Sequence, residues 1–443
     1  MRLDNRRTVL VGFAFLSICA FWQMYDNIIP LMLRSTFGMD EALTGTVMAA
    51  DNVLALFLLP FFGALSDRTH TKIGRRIPYI VGGTAAAVLL MNGLPVLDNR
   101  YAAAPSAGVS AAFVLLLGLL LLAMGTYRSP AVALMPDVTP KPLRSKGNAI
   151  INLMGALGGI LYLAAAAVLY SEDRVGGLAH VDYRPLFWVV SAIMAVSVLI
   201  LFLTIREPQL SEEVRRYEEA HPEENLAKAD ESGREVLPRA VKRSLLFILL
   251  SVSLWYMAYN AVTTWFTTYV SVMMGRTLGG ASTCLLVATG GAVLSYIPIG
   301  ALSSRIGRKR TIQGGVILLG MCFFFGYHLT TVYSDIHWSM YIIFALVGLA
   351  WAAINVNSLP MVVEMCRGGD VGKFTGYYYA FSMAAQVITP ILSGWLLSHV
   401  GYRTLFPYAT VFTALSFLTM CVVRHGDNRP PRKRGLAAFE SND

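Results

Sequence analysis

The chain contains 443 residues, of which 55% are hydrophobic and 14% are charged. A soluble protein of this length carries about a quarter charged residues, so a lipid bilayer must cover most of this surface. The formal net charge of +9 does not indicate nucleic-acid binding, because the basic residues form short clusters between apolar segments. Composition therefore excludes a soluble enzyme and a nucleic-acid-binding protein.

Twelve apolar segments follow one another along the chain, each close to the roughly 20 residues that a helix needs to cross a bilayer. The first begins after a short basic N-terminus and is too long for the apolar core of a signal peptide, so we expect it to be retained. The predicted spans lie near 9–33, 44–66, 78–97, 110–135, 147–170, 185–205, 244–270, 281–303, 311–333, 339–362, 375–399 and 404–424.

A polar segment separates the first six spans from the last six. Glu212 and Arg216 lie one turn apart in it and can pair, so part of this solvated connector is expected to form a surface helix. The fold class is therefore an all-α polytopic membrane protein. The predicted parts are an N-terminal six-helix bundle (1–205), a cytoplasmic linker (206–243), a C-terminal six-helix bundle (244–424) and a disordered cytoplasmic tail (425–443).

Lysine and arginine residues are concentrated in the loops after the second, fourth and eighth spans, whereas the loops on the opposite side contain isolated cases. Because positive residues stay on the cytoplasmic side of a membrane, these loops and both termini are expected in the cytoplasm. We expect a monomeric, multi-pass protein of the inner (plasma) membrane, surrounded by the lipid bilayer.

The two halves of the chain share a repeat at equivalent positions. The tetrapeptide Gly-Ala-Leu-Ser ends the second span at 63–66 and the eighth span at 300–303. A basic cluster follows each copy, Gly-Arg-Arg at 74–76 and Gly-Arg-Lys-Arg at 307–310. Many secondary transporters are built from two related six-helix halves with a binding site between them at mid-membrane.

Two stretches of the first half resemble a known family. The segment from Gly63 to Pro78, with Asp-Arg at 67–68 and Gly-Arg-Arg at 74–76, is similar to the signature loop of the major facilitator superfamily. Its long form, together with 127–149, is similar to the glycoside–pentoside–hexuronide:cation symporters and the related sucrose/proton transporters. The resemblance implies the major facilitator fold of two pseudo-symmetric six-helix bundles, and secondary active transport by alternating access.

Charged residues around the first-half loop predict a gate on the cytoplasmic side. Arg75 and Arg76 can pair with Asp137, and such pairs would hold this side shut and break when it opens. Asp67 follows the end of a helix, where a carboxylate can cap the N-terminus of a neighbouring helix. The alternative is that the arginines only fix the topology, but this does not explain the presence of Asp67 and Asp137.

The second half predicts a similar but weaker latch. Arg308 can pair with Glu364, but Ser304 stands where the repeat would place an acid. The predicted gate residues are Asp67, Arg75, Arg76, Asp137, Arg144, Arg308 and Glu364.

Three ionisable residues lie well inside predicted spans, where such groups are costly and usually face a cavity. Asp26 lies roughly 25 Å along the first helix and Asp51 lies near the outer end of the second, so both belong to the outer half. They could share a cavity and exchange a proton near neutral pH, which predicts proton coupling. Alternatively, Asp51 is hydrated and pairs locally with Asn52. Arg128, in the inner half of the fourth span, either contacts substrate or neutralises an acid.

Polar and aromatic residues at helical spacing predict a substrate site shared by both halves. Tyr256 and Asn260 lie on one face of the seventh span, and Trp351 and Asn355 on one face of the tenth. The alternative is that these side chains join membrane helices to each other. The predicted substrate-binding residues are Trp22, Asp26, Arg128, Asn152, Tyr256, Asn260, Trp351, Asn355 and Gln386.

The coupling ion is predicted to be a proton rather than sodium, and the alternative is a substrate that carries its own negative charge. The melibiose-type branch carries cation-binding carboxylates in the second helix, where this chain has Ala55, Leu58 and Leu59, and a helix 4 carboxylate near Arg128. We therefore expect a proton-coupled sugar or glycoside symporter. The alternative is a polyspecific exporter of small organic molecules by proton antiport, which the aromatic and methionine content favours.

Other protein classes lack support in the sequence. The chain contains no HExxH, GxSxG or P-loop motif, so neither an enzyme nor an ATP-driven pump is expected. We expect no cofactor and no metal.

Overall fold

The computed structural model describes residues 4–140, 144–220, 238–365 and 371–427. Within these ranges the chain forms fifteen α-helices, a short 3-10 helix at Tyr402–Thr404 and no strand. The helices are α1 (Asn5–Ser35), α2 (Glu41–Asp67), α3 (Ile77–Met91), α4 (Gly93–Ala103), α5 (Ala107–Asp137), α6 (Arg144–Leu169), α7 (Glu172–Val175), α8 (Arg184–Thr204), α9 (Glu207–Ala220), α10 (Arg239–Met274), α11 (Leu278–Ile306), α12 (Arg308–Val332), α13 (Trp338–Val363), α14 (Val371–His399) and α15 (Leu405–Val422).

Twelve spans among the described residues are long and apolar enough to cross a membrane, which confirms the twelve predicted ones. Most extend beyond the predicted limits, as in α10, which begins at Arg239 rather than near 244. The reason is that the backbone hydrogen bonds of a helix continue past its apolar residues. The third span consists of α3 and α4, with a break at Asn92.

The described residues group into two compact units. The first contains the described residues of 1–40, 50–225 and 276–283, and the second contains those of 41–49, 226–275 and 284–443. The first residues of α2 therefore belong to the second unit, and those of α11 belong to the first.

Each unit repeats the same set of helix pairs. In the first unit α1 packs on α6 and α8, and α3 packs on α5 and α8. In the second unit α10 packs on α14 and α15, and α12 packs on α13 and α15. The corresponding spans of the two halves are thus paired alike, and the fold consists of two pseudo-symmetric six-helix bundles.

Small residues allow close approach between membrane helices, where packing and not hydrophobic burial drives association. On α6, a Cβ at Gly158 would collide with the backbone of Leu16 on α1. On α3, a Cβ at Gly83 would lie 2.7 Å from the Cβ of Tyr127 on α5. The Tyr127 hydroxyl donates to the carbonyl of Ala14 at 2.9 Å, which ties α5 to α1. These contacts fix the helices that carry the charged residues described next.

Candidate functional site

An acid and two aromatic rings occupy adjacent turns of α1. Trp22, Tyr25 and Asp26 are spaced three and four residues apart and therefore lie close together on the helix surface. The rings of Trp22 and Tyr25 meet edge to face, with centroids 5.4 Å apart. Asp26 is half-buried, and the indole Nε1 of Trp22 and the hydroxyl of Tyr25 have no hydrogen-bond partner within the described part of the chain. This face of α1 therefore offers several polar atoms to a ligand.

Asp51 on α2 is the second half-buried acid of the first unit. Its Oδ1 accepts a hydrogen bond of 2.8 Å from the side-chain amide of Asn52, so the predicted local pairing is present. The carboxyl groups of Asp51 and Asp26 also interact electrostatically. The two acids therefore lie within electrostatic range of each other, and the pairing of Asp51 with Asn52 does not change this.

Arg128 on α5 provides the positive charge of this site. Its guanidinium carbon lies 5.2 Å from the centroid of the Trp22 ring, within cation–π range, and the group is half-buried. It interacts electrostatically with both Asp51 and Asp26. We call Trp22, Asp26, Asp51 and Arg128 the carboxylate cluster.

An aromatic group lies in the second unit, between α10 and α13. Tyr259 stacks on Trp351 with ring centroids 3.8 Å apart and an interplanar angle of 8°, and Tyr256 meets the same indole edge to face at 5.3 Å. The side-chain nitrogen of Asn260 is buried nearby on α10, without a hydrogen-bond partner among the described residues. We call Tyr256, Tyr259 and Trp351 the aromatic cluster.

Sequence reasoning named Tyr256 and Trp351 but missed Tyr259. Its position three residues after Tyr256 was the available signal, since residues at that spacing are neighbours on a helix.

The remaining predicted substrate residues lie on other helices or turns. Asn152 is exposed on α6 and Asn355 is exposed on α13. The Gln386 side chain on α14 donates to the carbonyl of Ser382 in its own helix at 3.3 Å. A role for these three residues in substrate binding stays a prediction.

A second group of charges surrounds the loop between α2 and α3. Arg76 is only 4% exposed. Its Nε donates to Asp137 at 2.8 Å, and its Nη2 pairs with Asp67. Arg75 reaches the other carboxylate oxygen of Asp137 at 2.7 Å. We call Asp67, Arg75, Arg76 and Asp137 the Arg76 cluster. The predicted pairs are present, and their action as a gate stays a prediction.

The charge of Arg76 is secured by its partners. Burial alone would lower the pKa of the guanidinium, but the hydrogen bond and charge of Asp137, with the charge of Asp67, raise it above its usual value. Arg76 therefore stays positively charged at every pH that the protein meets.

The carboxylate of Asp67 pairs with an arginine. Asp67 is the last residue of α2, and its partner is the guanidinium of Arg76, so its capping of a neighbouring helix stays a prediction. The N-terminus of α3 is capped by Glu207 of α9, which the sequence analysis placed in the solvated connector. Glu207 is 1% exposed, so the beginning of α9 packs on the first unit.

The second unit contains the pair predicted at its own loop. Arg308, the first residue of α12, is buried and pairs with Glu364. The side chains of Arg144 and Ser304 lie outside the described residues, so the structure says nothing of their contacts. Residues 425–427 of the predicted tail pack against the second unit, where His425 hydrogen-bonds to Ser244 at 2.8 Å.

The described ranges contain no group of three or more His, Cys, Asp or Glu residues arranged to hold a metal ion. Two related bundles of membrane-spanning helices with ionisable groups inside them are the arrangement of many membrane transporters. The sequence matches the family model of the Major Facilitator Superfamily over residues 11–296 and 274–441. The chain belongs to this superfamily and is a multi-pass membrane transporter, not an enzyme.

The chain is similar to sugar and multidrug transporters alike. It is 31% identical over 144 residues to the sucrose transport protein SUC3 of Arabidopsis thaliana, a match that covers 30% of this chain and 24% of that protein. It is 23% identical over 424 residues to the multidrug resistance protein MdtG of Dickeya zeae (strain Ech586), covering 94% and 93%. The chain thus spans about a quarter of the sucrose transporter that it matches.

Similarity to solved structures establishes the fold. The inward-open xylose transporter XylE of E. coli has a TM-score of 0.68 and 12% sequence identity, over 97% of this chain and 98% of that one. At this identity the similarity concerns the helix arrangement alone.

Proposed function

We propose that the protein is a proton-coupled symporter for a sugar or glycoside, which works by alternating access in the inner membrane with both termini in the cytoplasm. The observation that carries the proton coupling is the carboxylate cluster, in which Arg128 interacts electrostatically with both Asp26 and Asp51.

Charge balance explains why this cluster would bind a proton. Two ionised carboxylates beside one guanidinium leave one negative charge uncompensated, and an uncompensated charge at membrane depth is costly. One bound proton makes the cluster neutral. A site that is neutral with the proton and charged without it favours different conformations in the two states, and this difference couples proton movement to the conformational change.

The aromatic cluster supports an uncharged, ring-shaped substrate. Small-molecule sites combine apolar and aromatic walls with a few polar groups that fix orientation. Trp351 and its tyrosines provide such a wall, and Asn260 provides an amide without a partner among the described residues. Similarity to a sucrose transporter favours the same substrate class.

The Arg76 cluster is proposed to be the gate on the cytoplasmic side. Buried, paired arginine and carboxylate groups hold two helix ends together only while the geometry is kept. The second unit would contribute the Arg308–Glu364 pair.

The second candidate is a proton antiporter that exports small organic molecules. The match to a multidrug resistance protein over 94% of this chain favours it. Symport and antiport both need a site that binds a proton, so the carboxylate cluster does not distinguish the two candidates.

Uptake into proteoliposomes tests the proposal. We expect labelled disaccharides or monosaccharides to accumulate when the outside is acidic, and not under a sodium gradient of the same size. Protein-free liposomes are the control for leakage. Absence of gradient-driven uptake of every sugar, together with proton-dependent transport of a lipophilic dye, would establish the exporter instead.

A further inference from the structure

The carboxylate of Glu207 holds the beginning of α3. Its oxygens accept hydrogen bonds from the backbone N–H groups of Arg75 at 3.0 Å, Arg76 at 2.9 and 3.0 Å, and Ile77 at 3.0 Å. The first N–H groups of a helix have no partner within the helix, and α3 has no side-chain cap of its own. Glu207 therefore supplies the cap from 130 residues farther along the chain.

The loop before α3 is shaped to admit this carboxylate. Gly74 has a φ of +118°, a conformation that L side chains rarely adopt. A Cβ at Gly74 would also collide with the carboxylate of Glu207. The glycine is thus required both by its backbone angle and by the close approach of the acid.

The residues that Glu207 holds are those that carry the guanidinium groups of the Arg76 cluster. The backbone of Arg75 and Arg76 is fixed by the cap, while their side chains reach Asp137 at 2.7 and 2.8 Å. A backbone that the cap already fixes has no conformational freedom left to lose when the pairs form, so pairing then costs only side-chain entropy. Helix α9 itself is anchored a second time, by Glu213 to Arg7 of α1 at 3.0 Å.

The second unit has a corresponding cap. Asp427 accepts a hydrogen bond of 2.9 Å from the backbone N–H of Lys309 at the beginning of α12. Gly307, just before it, has a φ of +97°, and a Cβ there would lie 2.9 Å from the Asp427 carboxylate. Like Glu207, Asp427 follows the last membrane helix of its half by a few residues. A carboxylate that caps the beginning of a helix therefore lies beside both predicted gates.

We infer that Glu207 is a positioning residue of the gate: by capping α3 it holds Arg75 and Arg76 in register with their carboxylate partners. The segment that leaves the first bundle is thereby part of the gate and not a passive connector. The inference rests on the proposed function in one respect, that the Arg76 cluster is a gate.

Hydrogen–deuterium exchange of the full-length protein in detergent or nanodiscs tests this without any substrate. In Glu207→Gln the amide nitrogen of the new side chain faces backbone donors. We expect the amides of 75–77 to exchange about tenfold faster or more, the change that loss of one charge-assisted hydrogen bond produces. The ends of α2 and α5, which hold Asp67 and Asp137, should also exchange faster, because the gate loosens.

Three further variants make the result decisive. Glu219→Gln removes an exposed acid from the same helix, whose ion-pair partner Arg215 also lies on α9, so exchange at α3 and at the gate should match the wild type. Arg76→Ala should loosen the ends of α2 and α5, and adding Glu207→Gln to it should loosen them no further. Faster exchange confined to 75–77, or additive effects in the double variant, would reduce Glu207 to a local cap and overturn the inference. Absence of sugar uptake by the wild type would instead overturn the proposed function, and the exchange result for Glu207 would still hold.

Discussion

Asp26→Asn is expected to abolish accumulation of substrate against its gradient while leaving exchange of substrate across the membrane intact. Asparagine keeps the shape of the side chain but cannot gain or lose a proton. With one proton moved per substrate, a difference of one pH unit supports about a tenfold accumulation, and the variant should fall to equal concentrations on both sides. The measurement is the steady-state ratio of labelled substrate in proteoliposomes with an imposed pH gradient, beside counterflow without a gradient.

Asp51→Asn provides the comparison within the same cluster. The carboxylate of Asp51 already accepts a hydrogen bond from Asn52. Asp51→Asn is therefore expected to reduce accumulation less than Asp26→Asn does. If accumulation survives in Asp26→Asn and disappears in Asp51→Asn, the order of the two acids is wrong.

Asp182 provides a matched acid outside the membrane spans of the first unit. Burial alone would raise its pKa, but hydrogen bonds from Arg184 and Asn99 lower the pKa to about 2. Asp182 is therefore ionised at neutral pH and has no proton to deliver. Asp182→Asn should keep the wild-type accumulation ratio, and a loss as large as that of Asp26→Asn would show that any acid of this unit has the same effect.

Arg76→Ala is expected to lower turnover by about tenfold or more while substrate affinity changes little, because the proposed gate acts on the conformational change rather than on the substrate. Removing one member of a buried ion pair costs about 3–5 kcal/mol, so the variant should also unfold at lower temperature. The measurements are the maximal rate and the KM of exchange, together with thermal unfolding in detergent.

The stability loss makes a second variant necessary. Arg75 is 40% exposed in its side chain and shares Asp137 with Arg76, so Arg75→Ala should fold normally and lower turnover less than Arg76→Ala. Asp137→Asn removes the partner of both arginines and should resemble Arg76→Ala. Wild-type turnover in folded Asp137→Asn protein would contradict a gate at this position.

Much of the fold follows from the order of apolar and polar segments. The bilayer requires every span to be a long helix with satisfied backbone groups, so hydropathy alone locates all twelve. The repeat at 63–66 and 300–303 predicted two similar bundles, and opposite charges at matching loops predicted the pairs of Arg76 with Asp137 and of Arg308 with Glu364.

What the sequence could not supply is the contact of residues far apart along the chain. Glu207 stands in a connector rich in glutamate, and nothing local distinguishes it from the exposed acids of the same helix. Asp67 follows the end of a helix, a position that suggested a cap, and only the structure reveals its pair with the guanidinium of Arg76. Tyr259 is an aromatic residue in an apolar helix, and only the stacking on Trp351 distinguishes it from packing residues.

The two units differ in chemistry although their helices pair alike. The first carries the carboxylate cluster and the Arg76 cluster, and the second carries the aromatic cluster. We propose that the first half couples transport to protons and that the aromatic cluster of the second half contacts the substrate.

If Asp26 couples transport to protons, addition of substrate alone must move protons across the membrane. Proteoliposomes without any imposed gradient, with the membrane potential clamped by potassium and valinomycin, would enclose a pH-sensitive dye and receive sugar from outside. We expect acidification of the interior by the wild type and no change with Asp26→Asn. Alkalinisation of the interior, or an equal signal from Asp26→Asn, would contradict it.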